Sequence, residues 1–465
     1  MNPLFDKKVY IARREALIHK VGTGIILFPG NHDAPMNYPA NTYNFRQDSN
    51  FLYYFGLAVP SLAALIDIDE NRTILFGDDF TIDDIIWVGD QPSISTLAAQ
   101  VGVTESMPTA KLADYLAKNA HRRIHFTKAY RADTRIELAN LLNQDVNQVN
   151  SGASVELIKA IVSMRSVKED IEIEEMEKAA NMAYDLHTTV MRHCKAGATE
   201  HQLVGMADGV ANGQGNGFSF PIILTQHGEI FHNTDHNVAL QEGKLLLVDS
   251  GVEGLMNYCS DFTRTYPVSG KFTQKQKDIY EIVLRANMEG INLVKAGTPY
   301  RDIHFAAAEI VAQGMKDLGL MKGDVKEAVR LGAHALFFPH GLGHQLGLDV
   351  HDMEGLGEDY VGYNDEFKRS ELFGTANLRM ARHLEPGMVM TVEPGIYFIP
   401  KLIEMWSNEK RHKDFICYEK LHDYLDFGGI RIEDDVLVTP NGHHILGQAI
   451  PKQVSELESI IGTTK

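Results

Sequence analysis

One nine-residue pattern occurs twice in this chain, as "GKLLLVDSG" at residues 243–251 and "GMVMTVEPG" at residues 387–395. Both copies read glycine, five strand-like residues, a carboxylate, one further residue, and glycine. Runs such as 245–248 are those of a buried strand, so Asp249 and Glu393 each stand where an isolated charge would be costly to desolvate. Downstream of each copy another strand-like run carries a second acid, Asp261 in "SDFTRTYPV" and Glu433 in "GIRIEDDVLVT". The chain is therefore constrained to two related halves that face each other across a pseudo-twofold axis and bring four carboxylates together. Any one of these acids alone reads more readily as a solvated strand-end residue. Their equivalent placement in two halves is what calls for a shared cation.

Four carboxylates converging in apolar surroundings cannot all stay ionised without compensating positive charge. Two divalent ions would balance them, and the histidine-rich "PHGLGHQLGLDVHD" between the halves offers imidazoles. Oxygen donors with one or two nitrogens suit Mn²⁺ or a similar borderline ion better than a structural zinc. Two such ions about 3.5–4 Å apart can activate a shared hydroxide and polarise a carbonyl, which is hydrolase chemistry. His340 and His344 have the i, i+4 spacing of a zinc-binding helix. Gly341, Gly343 and Gly347 argue against a helix, and the glutamate of that motif is missing. A strand or loop still places both imidazoles on one face, where a lone histidine would be structural.

At 465 residues the chain is expected to form two domains, with a boundary near residue 160. The first part alternates strand-like runs ("GIILFPG", "AALIDIDENRTILFGDD") with helical ones ("KKVYIARREALIHKV"), which predicts an α/β layer with a mixed, partly parallel sheet. The second part opens with long helical stretches and contains a further echo, "KAGATEHQL" from Lys195 and "KAGTPYRDI" from Lys295. Thr199 with Gln202 predicts a capping box, and Pro299 after Thr298 predicts a helix starting at that proline. A net charge of −18 works against nucleic acid or an anionic membrane as partner. Cys194, Cys259 and Cys417 cannot form a framework of paired disulfides, which predicts reduced thiols. The N-terminal stretch has no apolar core of signal-peptide length, and no run approaches the ~18 apolar residues of a membrane span. A cytoplasmic protein is the expectation.

Taken together, "LLLVDSG", "CSDFTRTYPV", "PHGLGHQLGLDVHD", "LEPGMVMTVEPGIYF" and "GGIRIEDDVLVT" resemble the prolidase and aminopeptidase P group of metallopeptidases. "FRQDSNFLYYFGL" resembles the signature of their N-terminal domain. The resemblance implies an aminopeptidase P-like N-terminal α/β domain at 1–160. It implies an α+β pita-bread (creatinase/aminopeptidase-like) catalytic domain at 161–465. The implied activity is hydrolysis of the bond between an N-terminal residue and proline, in dipeptides or short peptides, by a hydroxide bridging two metal ions, usually Mn²⁺.

The metal ligands implied by the resemblance are Asp249, Asp261, His344, Glu393 and Glu433, with Asp261 and Glu433 bridging and Glu393 also the proton acceptor. His232 and His351 match histidines that contact substrate and the developing tetrahedral intermediate. His340 matches a position near the pocket, and Arg431 one that braces the metal-bound acids. Arg379 stands where prolidases carry a carboxylate-binding arginine, and arginine suits that task through two parallel hydrogen bonds. Surface solvation is the alternative reading for Arg379 and Arg382. The insert at 397–427 also resembles prolidase, while an aminopeptidase P acting on longer peptides is the alternative. A non-peptidase binding protein or a metal-free creatinase would be expected to lose ligands, and here all five positions carry a competent residue. A homodimer or tetramer is implied as well. One departure stands out: eleven residues separate Asp249 from Asp261, one more than the family's usual spacing. The surplus is expected to form a bulge or a longer turn near Gly254.

Overall fold

The computed structural model describes residues 4–464. They divide into two compact units, one running to Arg165 and including Met353–Tyr360, the other comprising Ser166–Asp352 and the chain from Val361 onward. In the first, a five-stranded sheet has the order Glu105–Met107, Arg72–Phe76, Ala63–Asp67, Ile25–Pro29, Ile124–His125. Its inner pairs are antiparallel and its outer pairs parallel, so the sheet is mixed. "FRQDSNFLYYFGL" contains the helix Ser49–Phe55, whose residues are all buried. Asp48 caps it by accepting from the amides of Asn50 and Phe51, and Gly56 ends it in the left-handed conformation.

The second unit repeats itself in space as the sequence does. The helices Asp170–His193 and Glu200–Gln214 form one pair, and Gln274–Leu293 and Tyr300–Asp317 the other. The capping box of Thr199 and Gln202 forms. The other start differs by one residue, since Pro299 is the N-cap and the helix begins at Tyr300. The reason is that Pro299 is bridged to His383 and Leu384 donates to the Thr298 carbonyl, which keeps the backbone extended through the proline.

Each half contributes an acid-bearing hairpin. Leu245–Ser250 pairs antiparallel with Phe262–Pro267 from Leu245–Pro267 to Ser250–Phe262, and the same register continues to the Glu253–Cys259 bridge. No bulge interrupts it. The surplus residue lies in the turn at 254–258, where Asn257 takes φ 66 and the Gly254 amide donates to the Tyr258 carbonyl. Gly251 is required here, because a Cβ would lie 1.6 Å from the Ser260 carbonyl oxygen.

In the second half the pairs Val392–Asp434 and Gly395–Arg431 share one register, which sets Glu393 directly opposite Glu433 and Pro394 opposite Ile432. The halves join where the Glu433 amide donates to the Thr263 carbonyl at 3.1 Å. Among the described residues no helix is long and apolar enough to cross a membrane.

Candidate metal centre

The period of two along a strand decides what faces the centre. Glu433 and Asp435 turn to one side, while Asp434 turns to the other and pairs with Arg264 and Lys452, both at 2.7 Å. Burial alone would raise the Asp434 pKa, but those two cations hold it well below the usual carboxylate range. His344 arrives on an extended segment rather than a helix. The Leu346 amide donates to the Val389 carbonyl, Thr391 to His344, and Glu393 to Leu342, so residues 342–346 run beside Val389–Val392. Gly343 permits this approach, since a Cβ there would lie 2.1 Å from the Thr391 carbonyl oxygen.

The carboxylates of Asp261 and Glu433 and the His344 imidazole offer donor atoms within 4.8 Å of one another. His344 Nε2 stands 3.4 Å from the Asp261 carboxylate and 3.8 Å from that of Glu393. The His344 Nδ1–H donates to the Gln345 carbonyl at 2.9 Å, so its lone-pair nitrogen faces the acids. Burial, followed by the charge of Asp249, pushes Asp261 well above the usual carboxylate range. Burial and the Asp261 charge do the same to Glu433. Burial raises Glu393 to about 8. Asp249 Oδ1 and Asp261 Oδ1 are buried without a hydrogen-bond partner. Orphaned acceptors in an oxygen-rich set with one imidazole fit divalent cations.

A polar frame holds the acids. Arg431 donates to Asp249, to the Tyr397 hydroxyl at 2.9 Å and to Thr263 Oγ1 at 3.2 Å. Thr263 in turn donates to Glu433 at 2.6 Å. The Tyr397 hydroxyl donates to His340 Nε2 at 2.8 Å, and His340 Nδ1–H donates to the Gly341 carbonyl. Burial and Arg431 hold His340 down to about 3, so it is a neutral ring. Phe231 packs on Tyr397 and His340, with centroids 4.5 and 5.6 Å away. Asp435 accepts from the Asp261 amide at 2.9 Å.

The remaining expected residues surround this frame. The His351 ring meets that of His344 at 4.2 Å. His232 is exposed at the rim, where partial burial lowers its pKa and Asp249, Arg431, Arg379 and His351 act on it electrostatically. The charge of Arg379 reaches Glu393 and His340. Arg382 instead braces the backbone, donating to the Val361 carbonyl, Ser166 and Glu385. Tyr397, Thr263, Asp435 and Phe231 are the members of the site that sequence reasoning missed. The signal for the first three was available: they stand two or four residues from an expected ligand, on the same strand face.

Two pseudo-symmetric halves with their acids gathered at the seam define a pita-bread hydrolase preceded by a mixed-sheet α/β domain. Residues 174–440 match Metallopeptidase family M24, and residues 10–126 match the Aminopeptidase P, N-terminal domain. The chain belongs to metallopeptidase family M24, in its aminopeptidase P and prolidase group. It is 34% identical over 464 residues to a probable Xaa-Pro aminopeptidase pepP of Metarhizium robertsii, covering 98% of this chain and 96% of that one. It is 30% identical over 425 residues to the Xaa-Pro dipeptidase of Mus musculus, covering 89% and 84%. The fold superposes on zinc-substituted Escherichia coli aminopeptidase P in complex with product with a TM-score of 0.81, at 27% identity over 98% of both chains.

Proposed function

We propose that this protein hydrolyses the Xaa-Pro bond at the N-terminus of dipeptides or short peptides, using two divalent metal ions, Mn²⁺ in the cell. The observation that carries the reading is the buried acid cluster with orphaned oxygens on Asp249 and Asp261. Asp249, Asp261, His344, Glu393 and Glu433 would hold the ions, with the catalytic domain taken as 161–465. When bound, the ions supply Lewis acidity and a more acidic water. The chain's own residues do the rest. Glu393 accepts a proton from the attacking water and returns it to the leaving imino nitrogen of proline. His351 and His232 donate hydrogen bonds to the developing oxyanion. Arg431 keeps Asp249 oriented, and Phe231 with Tyr397 offers an apolar wall for the proline ring.

Arg379 favours a free carboxylate immediately after proline, and hence dipeptides. The second reading, aminopeptidase P activity on longer peptides, is favoured by the greater identity and coverage of the Metarhizium relative. Three free, buried cysteines support a reducing, cytoplasmic setting, and a homo-oligomer is proposed with it. The test is hydrolysis of Xaa-Pro dipeptides against Xaa-Pro-Xaa tripeptides by the Mn²⁺-reconstituted protein, with metal analysis of the same sample. Faster dipeptide turnover at a stoichiometry near two supports the proposal. Activity that persists in chelator at a stoichiometry near zero overturns it.

A further inference from the structure

The helices leading into the two K-A-G turns carry a buried polar side chain at the same place. His187 stands eight residues before Lys195, and Asn287 eight before Lys295. Both are fully buried. His187 Nε2 donates to the carbonyl of Ser250, the residue after Asp249, at 3.0 Å. Asn287 Nδ2 donates to the carbonyl of Val392, the residue before Glu393, at 3.0 Å. Its second donation, at 3.4 Å, reaches the carbonyl of Ile432, the residue before Glu433. In each half, therefore, one helix side chain grips the acid-bearing strand through its backbone.

The grip is most needed in the second half. Glu393 and Glu433 face each other directly in the strand register, and two carboxylates so placed repel each other whenever both are ionised. Pro394 stands opposite Ile432 and has no N–H to give, so the ladder is missing a bond beside the two acids. The Ile432 amide reaches the Pro394 carbonyl at 3.3 Å, while Asn287 supplies the donor that the Ile432 carbonyl lacks. The amide cannot flip without loss, because Lys452 Nζ donates to Asn287 Oδ1 at 2.8 Å and so fixes the NH₂ toward the carbonyls. Lys452 is held by Asp434, and Asp434 by Arg264, which also donates to the Glu433 and Thr263 carbonyls at 2.6 and 2.9 Å.

We propose that Asn287 is a positioning residue that sets the separation of Glu393 and Glu433, and that His187 does the same for Asp249. The proposal rests on the metal reading of the centre. It is tested by titrating the metal-free, full-length protein with Mn²⁺ in a calorimeter. Asn287→Asp keeps the size of the side chain and its pairing with Lys452 but removes both N–H donors. It should weaken Mn²⁺ binding by about 10–100-fold, the effect of losing an outer partner of metal ligands, and lower kcat more than it raises KM. His187→Gln retains a donor and should bind as the wild type does, whereas His187→Leu should not. If Asn287→Asp fails to fold, Lys452→Met carries the test, since it leaves Asn287 in place with its amide unanchored; weaker Mn²⁺ binding is again expected. A folded Asn287→Asp or Lys452→Met variant with wild-type affinity overturns the positioning role. A wild-type protein that takes up no Mn²⁺ overturns the metal reading, and this proposal with it.

Discussion

Replacing His304 by phenylalanine should leave the second unit about as stable as before at neutral pH and make it more resistant to acid. His304 and His334 are fully buried with ring centroids 6.3 Å apart, and no ring nitrogen of either has a hydrogen-bond partner. The His304 ring also packs on Phe305 and Phe338 at 5.4 and 5.5 Å, so an apolar ring suits the site and leaves no partner unpaired. Burial, with the nearby His334, holds His304 down to about 3, and burial holds His334 to about 4. An unfolded histidine titrates near 6.5. Between the folded and unfolded values the unfolded chain binds a proton that the folded one does not. The stability linked to His304 is thus fully present above about pH 6.5 and is lost as pH falls toward about 3. At pH 5 the loss is about 1.5 pH units at about 1.4 kcal/mol each, or roughly 2 kcal/mol for this residue. Urea unfolding of the metal-free protein can read it by fluorescence. Trp87 is 85% exposed and Trp406 is buried, so the emission change follows the unit that contains Trp406. Wild type and His304→Phe should unfold alike at pH 7.5, and at pH 5 the variant should be more stable by about 2 kcal/mol. Parallel loss of stability in both proteins would refute the reasoning.

Asp261→Asn and Glu433→Gln should each abolish turnover and lower the metal content of reconstituted protein while leaving its circular dichroism unchanged. His351→Ala should reduce kcat by about 10²–10³, the usual effect of losing one oxyanion donor, at unchanged metal content; loss of metal would make His351 a ligand instead. Arg379→Ala should raise KM for an Xaa-Pro dipeptide far more than for its amide or a tripeptide. Equal losses on all three substrates would remove Arg379 from the specificity argument.

The centre was legible where chemistry follows from repetition. The paired nonapeptides located Asp249 and Glu393, and the strands that follow located Asp261 and Glu433. The histidine-rich segment was correctly denied a helix by its glycines, but its pairing beside Val389–Val392 depends on contacts across residues far apart in sequence. Tyr397 and Thr263 were within reach of the period-two rule applied outward from Glu393 and Asp261. Asn287 was not, because its role comes from the missing N–H of Pro394, more than a hundred residues away and opposite Ile432 only once the strands are in register. The extra residue between Asp249 and Asp261 left bulge and turn equally open, and the unbroken ladder to Glu253–Cys259 decides for the turn.

That unbroken ladder also separates length from facing on this hairpin. An insertion within Leu245–Ser250 or Phe262–Pro267 would turn every later side chain to the other face and take an acid out of the centre. At the tip the constraint is absent on one side only. Leu255 is 49% exposed, whereas Asn257 and Tyr258 are buried and the Tyr258 hydroxyl donates to Glu172 at 2.9 Å. The peptide bond between Leu255 and Met256 is therefore the place to splice in a short tether, carrying a fluorophore or an immobilisation handle on the acid hairpin while each carboxylate keeps its seat.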